Sequence, residues 1–373
     1  MVTVGEIARF IEKLAPLPLA EPWDKVGLQV GRATAGVGAA IVCLDVTDAI
    51  LDEALAWGCQ LVVSHHPLIF SDFTGLTDMS ATGRLALKAA EKGLAVYVVH
   101  TNLDKASGGI SDAMAARLGL IDVEVLEAAE ALLKLVVFVP KAAVAAVKAA
   151  IGDAGGGRIG LYSHCAFSSA GIGSFRPLPG ADPSQGEVGR DNQVEEYRLE
   201  VEVGQAEIDA VVEAMRRAHP YEEVAYDLYE QRKRDQRHGL GRVGNVKPGV
   251  AFDDFIALCV KIFGDHVRYA GRPGDRADKN TAEAPVSRVA VCGGSGGRLF
   301  AAAKRAGADL LVTGDIKYHD ALNAVDMGLA VVDAGHDGTE VIGMEDLGKR
   351  LEREFDIKFH GLETKSSIWQ GVR

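Results

Sequence analysis

The sequence lacks three features that would each point to a particular class of protein. Its five cysteines are scattered with no Cys-x-x-Cys pair, which argues against a disulfide scaffold and a cysteine-type zinc site. It has no run of 18 apolar residues and no charged-then-apolar signal pattern at its N-terminus. Positive charge is also scarce, because 40 Lys and Arg against 52 Asp and Glu give a net charge of −12. We therefore expect a cytoplasmic protein with no membrane segment and no nucleic-acid partner.

What the sequence does contain is a long internal repeat. Ala40–Cys43 and Trp57–Ser64 recur as Val289–Cys292 and Ala306–Thr313, at a constant offset of 249 residues. Each copy continues with a helical pattern and a third short apolar run. Runs rich in Val and Ile that alternate with amphipathic segments are typical of βαβ units in parallel sheets. The sequence thus predicts an α/β fold in which two similar βαβ-type halves form one discontinuous domain.

The residues between the two copies predict a separate, smaller domain. Strand-like runs at Lys134–Pro140, Tyr197–Val203 and Glu223–Tyr229 alternate with helical patterns, which is typical of an inserted ferredoxin-like α+β domain. The charged run Gln231–His238 indicates a solvated linker that leads out of it. The predicted bounds are 1–127 and 238–373 for the two halves of the α/β domain and 128–237 for the insertion.

Histidines and carboxylates collect at the ends of the repeated strands. Parallel strands end at one edge of a sheet, where α/β proteins place their ligands. Both copies carry a His-x-x-x-carboxylate pair there, and four of the ten histidines lie at these ends. The candidate ligands are His65, His66, His100, Asp104, His336 and Glu340. Nitrogen and hard-oxygen ligands suit Zn, Fe, Mn, Co or Ni, and six side chains suit two bridged divalent ions better than one.

His65 and His66 are adjacent in the sequence, which restricts how both side chains can face the same site. Adjacent side chains on a strand point to opposite faces, so both can face one site only if the chain leaves strand geometry after Ser64. Pro67 favours such a departure. We expect the strand to end at this point.

A competing motif is Gly293–Gly297, which fits the G-x-S-x-G pattern of a nucleophile elbow around Ser295. Asp315 and His336 follow it in the order that hydrolases use. The first copy of the repeat has no serine at the matching position, so a glycine-rich turn before a helix also explains the motif. Phosphate binding by this loop is a further alternative.

Five motifs resemble the Nif-three-like dinuclear-metal family, whose members are often called GTP cyclohydrolase I type 2-like. They are Pro22–Gly31, Ser64–Phe70, His100–Asp104, Gly314–Asp320 and Asp333–Glu340. The insertion, with Ser163–Ser168 and His219–Glu223, resembles that of the longer bacterial members.

The resemblance implies a dinuclear centre with His100 beside the metals and Glu340 as the bridging ligand. It also implies a homohexameric toroid and an insertion similar to PII or CutA. The implied metal ligands are His65, His66, Asp104, His336 and Glu340.

The leading functional hypothesis is a metal-dependent hydrolase that acts on a small phosphate-bearing or purine-like molecule. His100 and His319 are candidates for acid–base catalysis or substrate contact, and Lys317, beside Asp315, could hold a substrate anion. The alternative is a metal-binding scaffold or metal-handling partner without turnover.

Overall fold

A computed structural model of the chain describes residues 2–72, 75–128, 131–273 and 285–361. By its contacts the chain divides into two compact units, one of Met1–Ala129 with Gln236–Arg373 and one of Glu130–Asp235. The mixed α/β class predicted from the sequence is confirmed. No helix in the described ranges has the length and apolar character needed to cross a membrane.

Short strands and helices alternate along most of the chain. The strands, in chain order, are β1 (Val2–Thr3), β2 (Gly27–Val30), β3 (Gly36–Val37), β4 (Ala39–Cys43), β5 (Leu61–Ser64), β6 (Ala95–Val98), β7 (Ile121–Ala128), β8 (Ala131–Pro140), β9 (Ala166–Phe175), β10 (Asn192–Val203), β11 (Tyr226–Arg234), β12 (Gly239–Val250), β13 (Arg268–Ala270), β14 (Val286–Ser295), β15 (Leu310–Gly314), β16 (Ala330–Asp333) and β17 (Lys358–Gly361). The α-helices are α1 (Val4–Leu14), α2 (Asp48–Ala56), α3 (Ala81–Glu91), α4 (Thr101–Lys105), α5 (Ile110–Arg117), α6 (Val144–Asp153), α7 (Ile208–Ala218), α8 (Phe252–Phe263), α9 (Phe300–Arg305), α10 (Tyr318–Asp326) and α11 (His336–Glu354).

The first sheet of the larger unit has the order β17-β4-β5-β6-β2. Strands β4, β5 and β6 are parallel and buried along their whole length, whereas β2 runs antiparallel to β6 at the edge. Burial on both faces explains why these strands are continuous apolar runs. Helices α2 and α3 pack Leu51, Ala54 and Ala86 against Ile41 and Val62 in the core of this sheet.

The second sheet has the order β13-β16-β15-β14-β12-β7. Its strands β14, β15 and β16 are parallel, and β13 runs antiparallel to β16 at the edge. Strand β12 pairs antiparallel with both β14 and β7. Phe252, Phe255 and Cys259 of α8 and Met114 of α5 join the core on one side of this sheet.

Helix α11 links the two sheets. It contacts β14 and β15 of the second sheet, β4 and β17 of the first, and helix α5. Ile342, Leu347 and Leu351 are buried along it. Because α11 begins at His336, its first turns lie where the carboxyl ends of both sets of parallel strands meet.

The smaller unit is a four-stranded antiparallel sheet of order β11-β8-β10-β9. Helices α6 and α7 supply Val147, Ile151, Val211 and Met215 to its core. The inward side chains of β8 are Leu135, Val137 and Val139, which alternate as a half-buried strand requires.

The charged run Gln231–His238 differs from the expected linker. Strand β11 continues to Arg234, so the first four residues of the run belong to the sheet. β11 is an edge strand with mostly exposed side chains, and edge strands tolerate charged residues on both faces. Charge alone therefore did not distinguish a solvated strand from a loop.

Candidate metal centre

The chain after β5 carries two adjacent histidines into one site. β5 ends at Ser64, and the next two backbone N–H groups, those of His65 and His66, donate to the carbonyls of Cys43 (3.0 Å) and Leu44 (2.8 Å). The chain thus follows the end of β4 after it has left β5. Their ring centroids lie only 5.1 Å apart, so the two side chains do not diverge as they would on a strand.

The short helix α4 adds a third ring and a carboxylate. His100 directly precedes α4, and its ring centroid lies 5.1 Å from that of His65 and 5.7 Å from that of His66. Asp104 lies within α4, and its Oδ1 is 3.6 Å from His65 Nε2. The first sheet therefore contributes three rings and one carboxylate.

Helix α11 brings in the remaining two side chains. His336 and Glu340 are four residues apart on one face of the helix, and His336 Nε2 lies 3.1 Å from Glu340 Oε1. The same Glu340 Oε1 is 3.6 Å from His65 Nε2, and its Oε2 is 3.0 Å from His66 Nε2. Only 4% of the Glu340 side chain is exposed, so its carboxylate is almost completely shielded from water while it contacts three imidazole rings.

We call the six side chains of His65, His66, His100, Asp104, His336 and Glu340 the cluster. All four histidines of the cluster use Nδ1 to bind an acceptor outside it. Carboxylate and carbonyl oxygens only accept hydrogen bonds, so Nδ1 carries the proton and the Nε2 lone pair is left for another partner. The bonds are those from His65 to the Val99 carbonyl (2.9 Å), His66 to Asp45 (2.9 Å), His100 to Asp24 (2.9 Å) and His336 to Asp315 (2.8 Å). Histidines that bind metals are held in this way in most metal sites.

Three buried polar atoms at the centre have no hydrogen-bond partner in the described structure. They are His65 Nε2, Asp104 Oδ1 and Glu340 Oε2. The 3.0 Å approach of His66 Nε2 to that Glu340 oxygen therefore lacks hydrogen-bond alignment. An unsatisfied buried polar atom costs about 1–3 kcal/mol, more when it is charged. Imidazole nitrogens and carboxylate oxygens that face one another in this way fit a divalent cation.

The charges in the cluster support the same conclusion. Burial by itself would lower the pKa of His66, but Asp45 and Glu340 raise it to about 10. The neighbouring Glu340 carboxylate raises the pKa of His336 to about 9. Burial opposes ionisation of Glu340, yet the rings of His65 and its neighbours hold its pKa well below the usual range. The Glu340 carboxylate is therefore ionised, and a positive charge beside it is favourable.

The glycine-rich end of β14 closes over Glu340. Gly294 has a φ of +59°, and a Cβ atom there would lie 2.2 Å from Glu340 Oε1. Its N–H donates to Thr339 Oγ1 (2.9 Å), and its carbonyl accepts from Thr313 Oγ1 (3.1 Å). Only glycine combines this backbone conformation with so close an approach.

Ser295 does not form the nucleophile elbow considered above. His336 would have to serve as its base, but its Nδ1 donates to Asp315 and its Nε2 lies against Glu340. Neither ring nitrogen is left for a serine hydroxyl. The close packing around Gly294 explains the glycine-rich motif instead.

The structure does not bring every predicted residue into the cluster. His319 is exposed in the first turn of α10, where its ring contacts Tyr318, and Lys317 is exposed just before it. Within the described ranges, two groups of side chains have ligand atoms close enough to hold one metal ion. They are His65, His66 and His100, and His66, His336 and Glu340. Asp104 belongs to neither group, but its Oδ1 lies 3.6 Å from His65 Nε2.

The sequence reasoning missed two carboxylates that orient the rings. Asp24 accepts from His100 and from Thr101, and these hydrogen bonds outweigh its burial and lower its pKa to about 2. Asp45 lies two residues beyond β4 and accepts from His66. The position of Asp45 at a strand end next to β5 was a usable signal, whereas Asp24 lies in a loop without any periodic pattern.

The family described as Duf34/NIF3 (NGG1p interacting factor 3) matches residues 2–367. The chain belongs to this family. A Bacillus subtilis protein called "GTP cyclohydrolase 1 type 2 homolog" is 43% identical over 369 residues, which cover 97% of this chain and 96% of that protein. A Halalkalibacterium halodurans protein of the same name is 38% identical, over 97% of this chain and 95% of the relative. The resemblance inferred from the sequence motifs is thereby confirmed.

Solved structures show the same architecture. The crystal structure of a Bacillus cereus protein related to NIF3 matches with a TM-score of 0.79 at 35% identity and covers 99% of both chains. A Staphylococcus aureus protein matches with a TM-score of 0.73 at 26% identity, again over 99% of both chains.

Proposed function

We propose that this protein holds two divalent metal ions at the cluster and hydrolyses a small phosphate-bearing or purine-like substrate there. The observation that carries the proposal is the convergence of three Nε2 atoms, those of His65, His66 and His336, on two carboxylates that each have a buried oxygen without a hydrogen bond. The ligands we assign are His65, His66, Asp104, His336 and Glu340, with Glu340 shared between the ions. Its two oxygens face different rings, as a bridging carboxylate requires.

Bound divalent ions would supply Lewis acidity to a scissile phosphate or ring and would acidify a water molecule. Zn, Fe, Mn, Co and Ni all fit this ligand set. The names of the curated relatives, which call them homologues of a GTP cyclohydrolase, are in keeping with a purine-like substrate.

Within this proposal His100 moves or holds a proton beside the ions. Its Nδ1 donates to the ionised Asp24, so the ring has a fixed orientation, and its centroid lies 5.1 Å from that of His65. A positioned histidine of this kind typically contributes about 10²–10⁴-fold to a proton-transfer step. His319, exposed at the start of α10, serves in the same proposal as a substrate contact.

We also propose finer features of the fold and assembly. The shared layout of an antiparallel edge strand beside three parallel strands supports two similar halves. The order β11-β8-β10-β9 with two helices supports a ferredoxin-like inserted domain. The homohexamer rests on the family resemblance and is tested by light scattering. Five free cysteines are in keeping with a cytoplasmic location.

Turnover tests the hydrolase proposal. The protein, loaded with each metal in turn, would be incubated with purine nucleotides and simple phosphate esters, and released phosphate and altered rings would be measured by chromatography. We expect turnover with at least one metal and its loss in Glu340→Gln. Glu345→Gln is the matched control, because Glu345 lies on the same helix but pairs with Arg117.

Metal-loaded protein that turns over none of these compounds would contradict the hydrolase and favour the scaffold alternative. Turnover that persists in Glu340→Gln would contradict the assignment of the site.

A further inference from the structure

Two large aromatic side chains stand exposed beside the metal centre. Trp23 is 54% exposed and Phe70 is 52% exposed, and their ring centroids lie 5.8 Å apart with a tilt of 50°. The Trp23 ring also meets the His100 ring edge-on, with centroids 6.1 Å apart. His100 is in turn a neighbour of His65. The His100 ring therefore contacts both Trp23 of the aromatic pair and the proposed metal ligand His65.

The two loops that carry these rings are fixed to each other by one side chain. Gln29 Nε2 donates to the carbonyls of Lys25 and Ile69 at 2.9 Å each, and its Oε1 accepts from the Ile69 N–H at 2.8 Å. Lys25 and Ile69 are close in sequence to Trp23 and Phe70, respectively. The backbone close to both rings is thus fixed before a ligand binds, which lowers the entropic cost of binding.

The loop of Trp23 is also tied to the metal centre itself. Asp24, the next residue, accepts from His100 Nδ1 at 2.9 Å and from the Thr101 N–H at 3.0 Å. Thr101 Oγ1 donates a hydrogen bond to Asp24 and accepts one from the Glu21 N–H. A chain of hydrogen bonds therefore fixes the loop that carries Trp23 to the His100 side of the cluster.

We propose that Trp23 and Phe70 bind the flat heteroaromatic ring of a nucleotide whose phosphate reaches the metal centre. This inference rests on the proposed function and names its substrate class. Aromatic side chains stack on any nucleobase, because every base has a π face. Lys25 and Asp72, each two residues beyond one of these rings, form an exposed ion pair at 3.1 Å and add charged groups to the same two loops.

A protein partner fits this patch less well than a nucleotide does. Two aromatic rings bury about 150–250 Å² each, whereas a stable protein interface needs about 800 Å² on each side. A nucleobase, in contrast, has about the area that one tilted ring pair can cover.

The test is the binding of guanosine 5′-monophosphate and ribose 5-phosphate to the full-length, metal-loaded protein, measured by calorimetry. The two probes carry the same phosphate, but only the first has a base. We expect the nucleotide to bind at least about tenfold more tightly, because stacking of one base is typically worth this much or more. Trp23→Ala should remove about tenfold of that affinity without changing ribose 5-phosphate binding, and Trp23→Phe should retain most of it.

Trp57→Ala is the matched control. Trp57 is 40% exposed and contacts His360, but it lies at the end of α2 that leads into β5, away from the strand ends that carry the cluster. Its loss should leave both affinities unchanged.

Equal affinity of the parent for both probes would overturn the inference, as would an equal loss of both in Trp23→Ala. A changed oligomeric state of Trp23→Ala in light scattering, or loss of its metal, would also overturn it, since the rings would then serve assembly or the cluster itself. Parent protein that takes up no metal but still prefers the nucleotide would contradict only the proposed function, and metal-loaded protein without that preference would contradict only this inference.

Discussion

The sheet around β4, β5 and β6 and the sheet around β14, β15 and β16 each have an antiparallel edge strand beside parallel strands, but their strand ends hold different side chains. The chain beyond β5 provides His65 and His66, whereas Asp315, which matches His66 at the offset of 249, supports a ring from outside. The second sheet instead closes over the site with Gly294. Its direct contribution comes through α11, as His336 and Glu340.

This difference shows that neither sheet holds the site alone. The first sheet offers three rings and one carboxylate, and the second offers the carboxylate that contacts rings from both sides. The two sheets therefore contribute different side chains to the centre, and variants on each side should affect metal binding in different ways.

The largest effect is expected from Glu340→Gln, because Glu340 is the shared contact between the two sides. Loss of its charge should release essentially all bound metal, an effect larger than the ~10–100-fold typical of an outer partner. Elemental analysis of the purified variant measures this. Full metal content in Glu340→Gln would show that the first sheet binds metal by itself.

Replacement of the outer carboxylates should have a smaller and matched effect on the two sides. Asp45→Asn and Asp315→Asn each remove the charge that orients one ring, so each should weaken metal binding by about tenfold. Competition with a metal-binding dye measures the affinity. Asp52→Asn, which alters only a surface pair with Lys88, is the control.

A loss of metal affinity in only one of the variants Asp45→Asn and Asp315→Asn would contradict equal roles for His66 and His336. It would leave one sheet as the principal holder of the metal.

The packing of the second sheet over the site can be tested at Gly294. Gly294→Ala adds a Cβ atom 2.2 Å from Glu340 Oε1 and should displace that carboxylate, lowering metal affinity. Gly307→Ala has a similar φ (+76°) but open space around the added atom, so it carries only the backbone strain of about 1–2 kcal/mol. Equal metal affinity in the two variants would contradict the close approach at Gly294.

The smallest effect concerns the smaller unit, to which none of the residues assigned to the metal centre belongs. His219 donates from Nε2 to the Phe138 carbonyl and accepts at Nδ1 from Tyr221, and burial lowers its pKa. The folded ring is neutral, so the unfolded chain takes up its proton first as the pH falls below about 6.5. The stability of this unit should therefore fall between pH 7 and pH 5.

Hydrogen exchange of the amides in α6 and β8 in the full chain measures this dependence. The fall in stability between pH 7 and pH 5 should be smaller in His219→Gln than in the parent. His164→Gln, which alters an exposed position, should show the same fall as the parent. A parent-like fall in His219→Gln would assign the pH dependence to another group.

Much of this arrangement could be predicted from the sequence, for identifiable physical reasons. The family follows from long motifs, and the mixed α/β class follows from short buried runs such as Leu61–Ser64. The collection of His65, His66 and His100 follows from the shared edge of parallel strands.

Other features depend on tertiary packing that leaves no periodic signal. The contact of Glu340 with His66 depends on the passage of α11 between two sheets, and Asp24 reaches His100 from an irregular loop. The sequence predicted a strand that ends at Tyr229, and the continuation of β11 to Arg234 was missed because the side chains there are polar or charged on both faces.

The presence of a dinuclear metal centre can be tested by elemental analysis of protein purified without chelator or affinity-tag metal. We expect about two divalent ions per chain in the parent. We also expect their loss in the folded double variant His65→Ala/Glu340→Ala, which removes one ligand from each side. Folded parent protein without metal, or undiminished metal in the double variant, would contradict the dinuclear centre.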